Sequence, residues 1–132
     1  MLQELLNEQG KLGHFKHQLE QDGSIAWDKV GDRIKINLYR MAQESIHNIL
    51  KYAQCEEVNI RLQRKDQLVE LTIEDDGIGF NINKKKKGIG LKNMKSRVKS
   101  IGASLHIASE PSQGTIIKIT IPTKILYHDQ KE

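Results

Sequence analysis

Cysteine, proline and aromatic residues are scarce in this sequence: one Cys, two Pro, and 5% Phe, Trp and Tyr among 132 residues. The single thiol, Cys55, cannot close an internal disulfide, and no cysteine and histidine cluster has the spacing of zinc ligands. Nothing therefore indicates an oxidising compartment or a structural metal, and the cytoplasm is the expected location. No run approaches the roughly 18 apolar residues that a membrane helix needs, and the N-terminus has no basic segment leading into an apolar one. The chain is expected to make no membrane contact itself, which is compatible with its being the cytoplasmic part of an anchored protein. The few aromatics are not interleaved with basic residues as base-stacking surfaces require, so direct nucleic-acid binding is not expected despite a net charge of +4.

The net charge would suit an anionic partner such as nucleic acid, an acidic membrane surface or a nucleotide phosphate, among which charge alone does not choose, and much of the basic excess falls between Lys84 and Lys99. The length fits one domain with a sizeable core. Leu2, Leu5 and Leu6 follow helical spacing until Gly10 and Gly13 interrupt it, so residues 2–9 read as the end of a helix. Phe15, His17 and Leu19 alternate with polar residues as a strand does, and Asp22-Gly23-Ser24 then makes a turn. A long helix is expected over about residues 32–53, with Leu38, Ala42, Ser45, Ile49 and Ala53 as its core stripe and Glu44, Asn48 and Lys51 beside it. Two hairpins follow. The first pairs Val58, Ile60 and Leu62 with Val69, Leu71 and Ile73, and the second pairs residues 104–107 with 115–121. Between them a helix carries Leu91, Met94, Val98 and Ile101 on one face and stops at Gly102. This order predicts an α+β fold, a two-layer sandwich with helices on one face of a mostly antiparallel mixed sheet.

The phase of the strand ending at Ile73 carries the first functional clue. Val69, Leu71 and Ile73 point inward, and the same period-two count turns Asp75 inward and Asp76 outward. A carboxylate that continues an apolar row is costly to desolvate unless hydrogen bonds compensate it. A ligand could donate them, or Asp75 could cap the following turn through its own backbone. Gly77 and Gly79, then Gly88 and Gly90, bracket the lysine run Lys84 to Lys87, and Gly90 precedes an amphipathic helix whose N–H groups form a ready phosphate site. Neither a Walker A loop nor a dinucleotide fingerprint is present. Glu44 and Asn48 stand one helical turn apart, placed either to share a hydrated Mg²⁺ or to pair with each other.

Together these segments resemble the ATP-binding catalytic domain of sensor histidine kinases, within the superfamily of gyrase, Hsp90 and MutL ATPases (the Bergerat or GHKL fold). "LYRMAQESIHNILKYA", residues 38–53, is similar to the N box of the subfamily whose partners are often LuxR-type response regulators. "DDGIGF", 75–80, resembles the G1 box, "GIGLKNMKSRV", 88–98, the G2 box, and "GT", 114–115, the pair before the last strand. The resemblance implies that Asp75 accepts a hydrogen bond from the adenine amino group, with Gly77 and Gly79 close to the base and Thr115 supporting the pocket. It implies Asn48 as a Mg²⁺ ligand, Glu44 as orienting the metal or its water, and Lys51 as a phosphate contact. Gly88, Gly90 and the N–H groups starting at Leu91 would cradle the phosphates, with the lysines in a lid.

On this reading ATP and Mg²⁺ are the cofactors, and Glu44 and Asn48 are the catalytic pair. Residues 1–13 are expected to end a preceding linker or dimerisation helix, residues 14–123 to form the catalytic domain, and residues 124–132 to be a tail. No H box precedes the N box, and His47 reads as an exposed helix residue. The acceptor histidine is thus expected on a dimerisation domain of the same parent protein, which also meets the response regulator. An anti-sigma-type serine kinase and a hydrolytic ATPase of the same superfamily are the alternatives.

Overall fold

A computed structural model describes residues 2–13, 15–48, 57–77, 91–109 and 114–128. Helix α1 (Leu2–Gly13) precedes strand β1 (Lys16–Gln21), a short 3-10 turn (Trp27–Lys29) and the long helix α2 (Asp32–Asn48). Strands β2 (Glu57–Lys65) and β3 (Leu68–Asp75), helix α3 (Leu91–Ser100), strands β4 (Ser104–Ser109) and β5 (Thr115–Pro122), and helix α4 (Thr123–His128) follow. The five strands form one sheet in the order β1-β2-β3-β5-β4. Among the described strands β1 and β2 run parallel, and the other pairs are antiparallel. The expected α+β sandwich with a mostly antiparallel mixed sheet is the observed architecture.

Alternation fixes which face the helices cover. Val58, Ile60 and Leu62 of β2, Val69, Leu71 and Ile73 of β3, and Ile117, Ile119 and Ile121 of β5 are all buried, while Asn59, Arg61, Thr72 and Lys118 between them are not. One face therefore packs on the core and the other meets water, as antiparallel sheets allow. Ile34, Leu38, Met41, Ala42 and Ile46 of α2 and Met94 and Val98 of α3 close the core from the helix side.

Local signals end the elements where the sequence suggests. After α3, Gly102 has φ of 76°, Ala103 N–H donates to the Val98 carbonyl at 2.8 Å, and Gly102 N–H donates to Lys99 at 3.2 Å. This is the Schellman pattern, in which a left-handed glycine closes the last turn. The turn after β1 is held by Asp22, whose carboxylate accepts from Ser24 N–H at 2.9 Å, Ser24 Oγ at 2.8 Å and Arg64 N–H at 3.0 Å. The Ser24 and Arg64 backbone donors hold its carboxyl below the usual range.

Both chain ends of the described fold depart from the sequence reading. Gly10 does not interrupt α1, which runs on to Gly13, and Leu5 and Leu6 lie in the same core as the sheet. Burial of two leucines outweighs the cost of a helical glycine, about 1 kcal/mol. Residues 123–128, expected to lie largely in a tail, form α4 with Leu126 fully buried. The Leu126 carbonyl accepts from Gly31 N–H at 3.3 Å, and the Tyr127 hydroxyl accepts from Ala26 N–H at 3.3 Å, so α4 fixes the chain entering α2.

Candidate functional site

Helices α2 and α3 run antiparallel. The Arg33 guanidinium at the start of α2 donates to the Ser100 carbonyl at the end of α3, and Arg97 Nη1 donates to Asn37 Oδ1 at 3.4 Å. Further along, the buried Ser45 hydroxyl donates to the Met41 carbonyl at 2.8 Å and lies 4.0 Å from the Met94 sulfur. The end of α2, with Asn48, thus lies beside the start of α3 at Leu91.

Sheet register locates the same end of the sandwich. Gly102 and Ala103 join α3 to Ser104, which pairs with Thr120, whereas Ser109 at the other end of β4 pairs with Thr115. Thr115 in turn pairs with Asp75 across β3 and β5. The start of α3, the end of α2, Asp75, Gly77 and Thr115 therefore gather at one end of the sandwich.

Asp75 is 5% exposed and continues the inward row of Val69, Leu71 and Ile73, while Asp76 faces outward. Gly77 N–H donates to Asp75 Oδ1 at 2.8 Å, so the carboxylate does cap its own turn through one oxygen. Burial raises the Asp75 pKa, the Gly77 hydrogen bond opposes that rise, and the neighbouring Asp76 and Glu74 charges add to it. Among the described residues no cation pairs with it. The site thus holds a desolvated acceptor at the end of an apolar floor, an arrangement that a donor on an apolar ring would complete.

The neighbours hold this arrangement in place. Asp76 N–H donates to the Glu57 carbonyl at 3.3 Å and Asp76 Oδ1 accepts from Glu57 N–H at 3.0 Å, which pins the chain leaving β3 to the start of β2. Gly114 has φ of 76°, and a Cβ there would run into the Asp75 carbonyl oxygen. Gly114→Ala is expected to cost at least the roughly 1–3 kcal/mol of a left-handed non-glycine residue, read as a lower urea midpoint. An unchanged midpoint would mean that the Gly114 to Asp75 approach is not tight. Thr115 is 7% exposed, its hydroxyl is 2.8 Å from Ser109 Oγ, and Ser109 Oγ also lies 3.2 Å from the Gly114 carbonyl.

On α2, Glu44 and Asn48 are half-buried one turn apart, on the flank of the stripe that holds Ser45 and Ile46 in the core. His47 is exposed, as expected. Leu91 opens α3, where the first N–H groups have no partner within the helix. Lys51, Gly79, Gly88, Gly90 and the lysines 84–87 lie outside the described residues. Sequence reasoning did not single out Ser109. Its signal is the continued alternation of Leu105 and Ile107, which turns Ser109 to the same face as Thr115.

A depression on the water-facing side of the sheet is lined by Gln18, Glu20, Asn59, Ile60, Arg61 and Glu74. Its polar floor contrasts with the apolar floor beside Asp75. Among the described residues no helix is long and apolar enough to cross a membrane, and no three His, Cys, Asp or Glu side chains cluster as metal ligands.

A profile of the histidine kinase-, DNA gyrase B- and HSP90-like ATPase family matches residues 33–125, from α2 into α4, and the chain belongs to that family. Membership of an ATPase family implies that the domain binds ATP. The sensor protein VraS of Staphylococcus aureus is 41% identical over 95 residues, which are 71% of this chain and 27% of VraS. The chain thus matches only about a quarter of the length of that curated relative. Among solved structures, the histidine kinase domain of the Erythrobacter litoralis EL346 blue-light activated kinase superposes with a TM-score of 0.75 at 23% identity, over 96% of this chain and 61% of that one. The Acinetobacter baumannii histidine kinase AdeS gives 0.71 at 15%, over 92% and 62%. At these identities the likeness to the two structures is one of fold.

Proposed function

We propose that this chain is the ATP-binding catalytic domain of a two-component sensor histidine kinase, which binds Mg-ATP and passes the γ-phosphate to a histidine on a dimerisation domain of its parent protein. The observation that carries the adenine site is the inward carboxylate of Asp75, buried beside Gly77 and across from Thr115. The 41% identity to a sensor protein supports the kinase assignment.

Each residue has a role in this reading. Asp75 accepts from the adenine amino group, Gly77 and Gly79 leave room for the base, and Thr115 completes the pocket. Glu44 and Asn48, both half-buried residues, offer side-chain oxygens of the kind that fits Mg²⁺, which takes one or two protein ligands and otherwise keeps waters and phosphate oxygens. Asn48 would hold the ion and Glu44 would orient it or its water. When bound, the ion supplies neutralisation of charge on the phosphates. Lys51, Gly88, Gly90 and the N–H groups starting at Leu91 place the phosphates, the positive end of the α3 dipole facing them. Positioning and charge neutralisation are the main contributions a protein makes to phosphoryl transfer.

The partners proposed are the histidine-bearing domain and, through it, a response regulator of the LuxR type. The domain acts in the cytoplasm, which is compatible with its being the cytoplasmic part of an anchored sensor. Incubation with Mg-ATP and the parent protein's own histidine-bearing domain is expected to give acid-labile, base-stable phosphate on that domain. Acid-stable phosphate on a partner serine would replace this assignment with an anti-sigma-type kinase. Steady phosphate release by the chain alone, abolished in Glu44→Gln, would replace it with a hydrolytic ATPase.

A further inference from the structure

We propose that Ser45 is a positioning residue that sets the gap between the metal-binding end of α2 and the phosphate-binding start of α3, by being short enough for Met94 to close against it. The inference rests on the roles proposed above for Asn48 and the first N–H groups of α3, and it deepens them. Ser45 and Met94 are both fully buried, and Ser45 Oγ lies 4.0 Å from the Met94 sulfur. Ser45 stands three residues before Asn48, and Met94 three residues after Leu91. The contact therefore lies about one turn in from each of the two helix ends that face the ligand.

The other buried positions of α2 are Ile34, Leu38, Met41, Ala42 and Ile46, so a hydroxyl among them needs a partner. Ser45 finds one inside its own helix, donating to the Met41 carbonyl at 2.8 Å. What it offers α3 is a short side chain. Met41 and Ile46 of α2 and Val98, one turn beyond Met94, belong to the same core, and cores are close-packed. A longer side chain at position 45 thus moves the two helices apart. Asp75 and Thr115 are held by the β3–β5 register and Gly77 by its bond to Asp75, so the adenine half of the site stays in place. The phosphate half, divided between α2 and α3, loses its spacing, and hydrogen bonds to charged oxygens weaken as they lengthen.

Titration of the whole chain with ADP and with adenosine, both in Mg²⁺ and followed by the Gly77 amide shift, separates the two halves. In Ser45→Leu the preference for ADP over adenosine is expected to fall about tenfold, with adenosine affinity unchanged. Ser45→Ala, which stays short, is expected to keep the wild-type preference. Moving the bulk across the contact, in the Ser45→Leu and Met94→Ala double variant, is expected to restore it. If Ser45→Leu fails to fold, Ser45→Thr, which adds one methyl group, is expected to lower the preference in the same direction. An unchanged preference in the folded longer variant, an equal loss of both ligands, or a preference lost in Ser45→Ala as well overturns the proposal and leaves the adenine site standing. A wild-type chain that binds ADP no better than adenosine overturns the phosphate cradle with it, and one that binds neither overturns the adenine site too.

Discussion

Asp75→Asn is expected to weaken ADP binding by about 10- to 150-fold while leaving the chain folded. The range corresponds to the roughly 1.5–3 kcal/mol of a hydrogen bond to a charged group. An amide at this position either presents an NH₂ where the ligand also donates or gives up the contact from Gly77 that orients the side chain at 2.8 Å. Stability should move the other way. Burial raises the folded-state pKa of Asp75 above the ordinary aspartate value of 3.8, so between 3.8 and that raised value the native state holds more protons than the unfolded chain. Stability from this group is complete below 3.8 and falls as pH rises through the raised value. At neutral pH the wild-type chain therefore carries an ionised, desolvated carboxylate that the asparagine variant lacks. Thermal melts should show the variant at least as stable as wild type near pH 7, with the difference shrinking toward acid. Loss of binding together with a lower melting temperature at pH 7 would mean that Asp75 serves the fold first.

Leu6→Ala is expected to cost about 2–5 kcal/mol, the range for a fully buried leucine, although residue 6 lies outside the part of the chain that matches the family profile. Leu5 and Leu6 pack into the same cluster as Phe15, Leu38 and Val58, so α1 contributes to the core of the catalytic fold. Urea unfolding checks this, with the exposed Glu8→Ala as a control expected within about 0.5 kcal/mol of wild type. Equal midpoints for Leu6→Ala and Glu8→Ala would show that α1 is an appendage.

The strands were legible because they alternate strictly. Val58, Ile60 and Leu62, and Val69, Leu71 and Ile73, announce one buried face, and extending that count by one step brings Asp75 inside. The α3 stop was legible because Gly102 supplies a left-handed residue where a helix end needs one. Helix α1 was underestimated because glycine marks weak helix propensity, while the compensating burial of Leu5 and Leu6 depends on partners far along the chain. Helix α4 was missed for a related reason. Six residues are too few to show a period, and its anchor points, Gly31, Ala26 and Gly102, are remote in sequence. Ser109 went unnoticed because its partners Gly114 and Thr115 meet it only through the β4–β5 register.

The most direct test of the central claim is to follow the backbone amides of the isotope-labelled chain by NMR as ADP is added. The account predicts saturable shifts at Gly77, Gly114 and Thr115 and at the start of α3, with Gln18, Asn59 and Arg61 on the opposite sheet face unmoved. Shifts centred on Gln18, Asn59 and Arg61, or none at Gly77 and Thr115 in a folded chain, would contradict it.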